Sequence, residues 1–121
     1  MTKKPSFKAE ESQDNNRRAR VYHLSGKFVG TPACYSFLED ARENISTDFP
    51  HVVLVMSDLK IINSTGVGMI ASLMTACKDG QGKLFVVDAP DSARRQLEVT
   101  RVWEFLTPVD NLDDLPANLD S

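Results

Sequence analysis

Val52-Val53-Leu54-Val55-Met56 is an unbroken apolar run between polar flanks. Five such residues suit a β-strand buried on both faces, as interior strands of a parallel sheet are, and fall far short of the ~18 that a membrane span needs. Downstream, Asp58, Lys60 and Asn63 mark a polar loop. Ser64-Thr65-Gly66 then opens a helix whose Ile70, Leu73, Met74 and Cys77 share one stripe, and Gly80 closes it. Lys83-Leu84-Phe85-Val86-Val87 repeats the buried-strand pattern, and Pro90 begins another helix through Ala93, Arg94 and Leu97. Strand, helix, strand and helix in this order predict an α/β fold with right-handed crossovers, and the 52–56 strand belongs at its centre.

Upstream, Cys34, Phe37, Leu38, Ala41 and Ile45 recur at spacings of three and four, with Thr31 as a cap and Pro32 at the first helical position. Before them, Arg20-Val21-Tyr22-His23-Leu24 has extended character. Phe7 to Glu11 can pair with it as an edge strand, because Gln13-Asp14-Asn15-Asn16 supplies turn-forming side chains. Residues 1–19 therefore read as a polar arm with an edge strand, and 20–121 as one domain, a mixed central sheet with helices packed on it. At the other end, Pro108-Val109 is a short final strand and Asn111 to Leu119 a last short helix.

The chain has 121 residues with 14 Lys or Arg against 17 Asp or Glu, a formal net charge of -3. That balance lacks the clustered cations a nucleic-acid binder uses to displace counterions from phosphates. The lysines near the amino terminus precede no apolar core or cleavage site, so the reading is a cytoplasmic protein rather than a secreted one. Cys34 and Cys77 sit within apolar patterns and read as buried free thiols.

Enzyme chemistry finds little support. His23 and His51 lie in or beside strands with no Cys, Asp or Glu at metal-ligand spacing. Gly66-Val67-Gly68 lacks the third glycine of a dinucleotide loop, no Gly-Lys-Ser/Thr phosphate loop occurs, and Asp113-Asp114 suits a solvated tail. The expectation is a protein with no catalytic residues, metal or cofactor of its own.

The informative segment is Ile61-Ile62-Asn63-Ser64-Thr65-Gly66-Val67-Gly68. Asn63, Ser64 or Thr65 can cap the helix by accepting a hydrogen bond from its orphan amides. A hydroxyl at the carboxyl end of a central strand also lies where α/β sheets put their sites. A phosphate there would face free amides and the positive end of the helix dipole, and would add about -1.5 to -2 charges. Val67 and Met69 flank the core stripe and are expected to be exposed apolar anchors. Asp58, Lys60, Asn63, Ser64, Thr65, Val67 and Met69 thus form one expected docking surface.

From Val21 to Asp110 the chain resembles the STAS-domain family, specifically bacterial anti-sigma factor antagonists. The resemblance rests on Leu24-Ser25-Gly26, the Val52 to Met56 strand, Ser64-Thr65-Gly66-Val67-Gly68, the Lys83 to Val87 strand, and Val99-Thr100-Arg101-Val102-Trp103-Glu104-Phe105. It implies phosphorylation of Ser64 by a partner that is both anti-sigma factor and serine kinase, to which ATP and magnesium would belong. The unphosphorylated protein would bind that partner, the phosphorylated one would be released, and a serine phosphatase would reset it. Three positions depart from the pattern: Asn63 stands for the family's aspartate, Val55 for an acidic residue, and Arg101 for a glycine. The rival reading keeps the fold but makes it a constitutive adaptor in a signalling or lipid-transport complex.

Overall fold

The computed structural model describes residues 6–120; the start of the polar arm, residues 1–5, lies outside the described residues. Two antiparallel strands, β1 (Phe7–Asp14) and β2 (Ala19–Phe28), open the chain. Helix α1 (Pro32–Glu43), strand β3 (His51–Ile62), helix α2 (Ser64–Asp79), strand β4 (Leu84–Val87), helix α3 (Asp91–Val99) and strand β5 (Thr107–Val109) follow. The sheet order is β1-β2-β3-β4-β5, antiparallel at the first pair and parallel at the other three. The sheet is mixed, and the 52–56 run lies in its central strand, as its composition predicts.

Part of the polar arm is thus the edge strand, and Phe7 enters the core. The turn falls at Asn15–Arg18, two residues later than expected, where Asp14 Oδ1 accepts from Arg17 N at 3.1 Å. Thr31 stands at the N-cap of α1 with Pro32 in the first turn, but its side chain makes no capping bond and its hydroxyl lies 3.3 Å from Cys34 Sγ.

Strand periodicity sorts the core into two layers. Val52, Leu54, Met56, Leu84 and Val86 point to the face that carries all three helices, and Val53, Val55, Phe85 and Val87 to the other. The helical layer holds an aromatic cluster in which Phe37 meets Phe7, Tyr22 and Phe28 at centroid distances of 5.8, 5.2 and 5.9 Å. Cys34 and Cys77 are buried free thiols, and burial pushes the Cys77 thiol up to about 12.

Two expectations need correction. Asp58 and Lys60 are not in a loop, because β3 continues through them to Ile62. The β2–β3 register shifts twice here, and each bulge turns two consecutive side chains outward, Ser57-Asp58 and then Lys60-Ile61. That breaks the alternation by which a strand is recognised. At the carboxyl end, the helix expected over Asn111 to Leu119 shrinks to a 3-10 turn, Leu112–Asp114. Pro116 offers no N–H to prolong it, and Leu115 and Leu119 are instead pinned to the second sheet face.

Candidate functional site

The site begins where β3 hands the chain to α2. Asn63 is the N-cap: its Oδ1 accepts from Gly66 N at 2.9 Å, while its Nδ2 donates to the Val29 carbonyl at 3.2 Å. Asparagine therefore does two jobs at once, capping the helix and fastening the 29–31 loop to it. An aspartate could cap equally well but has no donor for Val29. Gln96 Nε2 donates to the Ile62 carbonyl at 2.9 Å, so α3 holds the strand end from its other side.

Gly66 sets the depth at which α2 sits. A Cβ there would run into the Phe28 carbonyl oxygen and lie 2.7 Å from Ile62 Cγ1, so only glycine lets the helix approach this close. Gly30, at φ +92, packs against the Thr65 side chain, a conformation L-residues rarely adopt. Two residues beyond Gly66, Gly68 faces open space.

With Asn63 as cap, Ser64 becomes the first helical residue. Val67 N donates to Asn63 O at 2.9 Å and Gly66 N is capped, which leaves the amides of Ser64 and Thr65 as the orphan donors of the first turn. Ser64 and Thr65 are exposed, and no carboxylate occupies the first turn. The positive end of the helix dipole is therefore uncompensated beside an accessible hydroxyl.

The structure does not gather all of the expected docking surface. Val67 and Met69 are each 4% exposed and belong to the helical core. The wide buried arc of α2, which runs through Gly66, Val67, Met69, Ile70, Leu73 and Cys77, leaves Ser64, Thr65 and Gly68 as the outward residues of its first turns. Lys60 and Asp58 are exposed on β3, with Asp58 about 16 Å up the strand from the cap at ~3.3 Å per residue. Two exposed apolar residues belong to the segments joined at the strand end: Ile61, 48% exposed, two residues before Asn63, and Val99, 77% exposed, three residues after the Gln96 that binds Ile62. Sequence reading missed both: the bulge exposes Ile61, and only tertiary packing brings α3 beside the strand end.

After α3, Thr100 Oγ1 donates back to the carbonyls of Gln96 and Leu97 at 2.8 and 3.2 Å, and Arg101 adopts φ 66. This is the left-handed conformation that commonly follows a helix and that glycine accepts at least cost. The departure at Arg101 thus leaves the turn itself in the left-handed form, at the expense of local strain.

His51 is buried, unlike the exposed His23, and links distant parts of the chain. Its Nδ1 accepts from Lys83 N at 3.1 Å, so Nε2 carries the proton and donates to Asp120 Oδ1 at 2.7 Å. That role is architectural.

The family model of the STAS domain matches residues 8–115. No curated protein matches the chain in sequence. Among solved structures, the Thermotoga maritima protein TM1081 superposes with a TM-score of 0.72 at 17% identity, covering 88% of this chain and 89% of its own. An anti-sigma factor antagonist from Mycobacterium paratuberculosis reaches 0.68 at 21% identity, with 90% of each chain covered. Phosphorylated SpoIIAA, a Bacillus cell fate determinant, reaches 0.59 at 17% identity over 88% of this chain and 94% of that one. At these identities the likeness is one of fold.

Proposed function

Starting from the chain's membership of the STAS-domain family, we propose that it is an anti-sigma factor antagonist that works by partner switching, without catalysis or a cofactor of its own. The observation that carries this reading is the exposed Ser64 hydroxyl at the first position of α2, beside two unpaired amides and no carboxylate. Unphosphorylated, the surface of Ser64, Thr65 and Gly68, flanked by Ile61 and Val99, receives an anti-sigma factor that is also a serine kinase. Apolar residues around a small polar centre suit a desolvated contact.

Phosphorylation adds about -1.5 to -2 charges at the middle of that contact. The free amides of the first turn and the helix dipole accommodate the anion, so the domain stays folded while the interface loses affinity. A loss of about 2.8 kcal/mol is already a hundredfold in Kd. A phosphatase acting on the exposed phosphoserine restores the first state. Lys60 and Asp58, on the bulged end of β3, form the rim and set partner preference through charge.

A constitutive adaptor is the second reading, and Asn63 favours it: an amide at the cap supplies loop geometry but no carboxylate to orient the neighbouring hydroxyl. One experiment separates the two. Wild-type protein, Ser64→Ala and Ser64→Asp are used to capture partners from the native cell, and the wild type is incubated with the captured kinase and ATP before mass spectrometry. A phosphate on Ser64, together with about a hundredfold weaker capture by Ser64→Asp, is expected. Undiminished capture by Ser64→Asp, with no phosphate on Ser64, would leave only the adaptor.

A further inference from the structure

On the side of the sheet away from the helices, Ala19, Val21, Val53, Val55, Phe85 and Val87 form an apolar strip whose cover includes no helix among the described residues. Leu115 and Leu119, 5% and 1% exposed, lie on it. The segment that carries them is attached unlike any β-strand or helix of the fold. Its described backbone–backbone bonds are local, from Asp114 N to Asn111 O at 3.0 Å and from Leu115 N to Leu112 O at 3.2 Å.

Side chains of the body reach out to hold it. Arg17 Nε donates to the Pro116 carbonyl at 2.8 Å and Arg17 Nη2 to that of Leu115 at 3.3 Å. Arg18 Nη1 donates to Asp120 Oδ2 at 3.1 Å, and His51 Nε2 to Asp120 Oδ1 at 2.7 Å. Arg18 does this from φ 58, in the left-handed region, where a glycine would relax the hairpin turn. Strain is kept at the residue whose guanidinium bridges Asp120 and, through its other arm, the Thr47 carbonyl at 2.6 Å.

We propose that residues 111–120 form a releasable strap, locked by Arg17, Arg18 and His51, that opens ahead of the helical core and bares the apolar strip on the face opposite Ser64. Among the described contacts this ten-residue segment is fixed by two leucines and by side-chain bonds rather than by a strand ladder, and it must offset the entropy of ordering its own backbone, which puts it at the low-stability end of the molecule. Opening leaves β1–β5 and the three helices paired as they are, because the strap supplies no strand to the sheet. The device therefore acts on a surface separate from the docking site and does not depend on the function proposed for it.

Thiol trapping on the full chain tests it, with the buried Cys34 and Cys77 as internal reporters of core opening. In Leu119→Cys, the introduced thiol is expected to react with iodoacetamide about a hundredfold faster than the native pair. Adding Arg17→Ala and Arg18→Gly should speed it about tenfold more and leave the native pair unmoved. Reaction of all three thiols at one rate overturns the strap, and arginine changes that leave the introduced thiol's rate unchanged overturn the lock. Should Leu119→Cys lose its far-ultraviolet circular dichroism, Leu115→Cys gives the same readout.

Discussion

The two faces of one sheet are closed by different means. On the helical face, α1, α2 and α3 cover a layer that interlocks down to the backbone: Gly66 meets the Phe28 carbonyl, Asn63 ties α2 to Val29, and Gln96 ties α3 to Ile62. On the opposite face, an irregular segment lays Leu115 and Leu119 on the strip and is held by side chains of the hairpin turn and by His51. Side-chain bonds to a flexible segment can break one at a time, whereas a helix seated against backbone moves as a unit. Ser64 stands on the rigid side. The switch proposed for it would change the charge of a packed surface and would need no change of shape.

The largest effect should come from Gly66→Ala, because the added methyl meets a backbone carbonyl that cannot step aside. A loss of about 3–4 kcal/mol is expected in urea unfolding, and a loss below about 1 kcal/mol would break the view that the helical face is fixed. Next, Leu73→Ala and Leu119→Ala remove the same atoms from positions that are each 1% exposed. About 3 kcal/mol is expected for Leu73 and about 2 for Leu119, since the strap can settle into the gap where a helix cannot. Equal losses would erase the contrast between the two faces.

A smaller effect, opposite in sign, sharpens the contrast. Gly68 has nothing near its missing Cβ, so Gly68→Ala should stabilise the domain by about 0.5–1 kcal/mol through helix propensity. If the docking surface is drawn correctly, the same substitution weakens partner capture while raising the thermal midpoint. The smallest effect concerns pH. The His51 hydrogen bond, aided by Arg18, holds the Asp120 carboxyl below its ordinary value of 3.8. A depressed carboxyl contributes stability above 3.8 that is lost as pH falls through its lower folded value. Acid should therefore loosen the strap first, and Asp120→Asn should remove that part of the pH dependence of stability, measured by urea unfolding as the pH is lowered through the carboxylate range.

Much of the fold and part of the site were legible along the chain. The runs at 52–56 and 83–87, the helical stripes and the hydroxyl at a helix start follow from local periodicity and capping chemistry. The sequence leaves the cap among Asn63, Ser64 and Thr65 because each has a side-chain oxygen; the Nδ2 donor that distinguishes Asn63 finds its acceptor, the Val29 carbonyl, in a loop 34 residues earlier. Val67 and Met69 were misjudged because a helix pressed against both a sheet and its neighbouring helices buries a wider arc than one core stripe. Asp58 and Lys60 looked like loop because bulges suspend the two-residue alternation.

The amino-acid order by itself determined the succession of strands and helices, since periods of 2 and 3.6 residues are written in neighbours that interact over one or two turns. It also determined that a serine would stand at the start of α2. Only the tertiary structure decided which apolar residues remain outside, how the second sheet face is covered, and that His51 would meet Asp120, 69 residues away. Such pairings depend on how layers stack, and no local period encodes the distance between them.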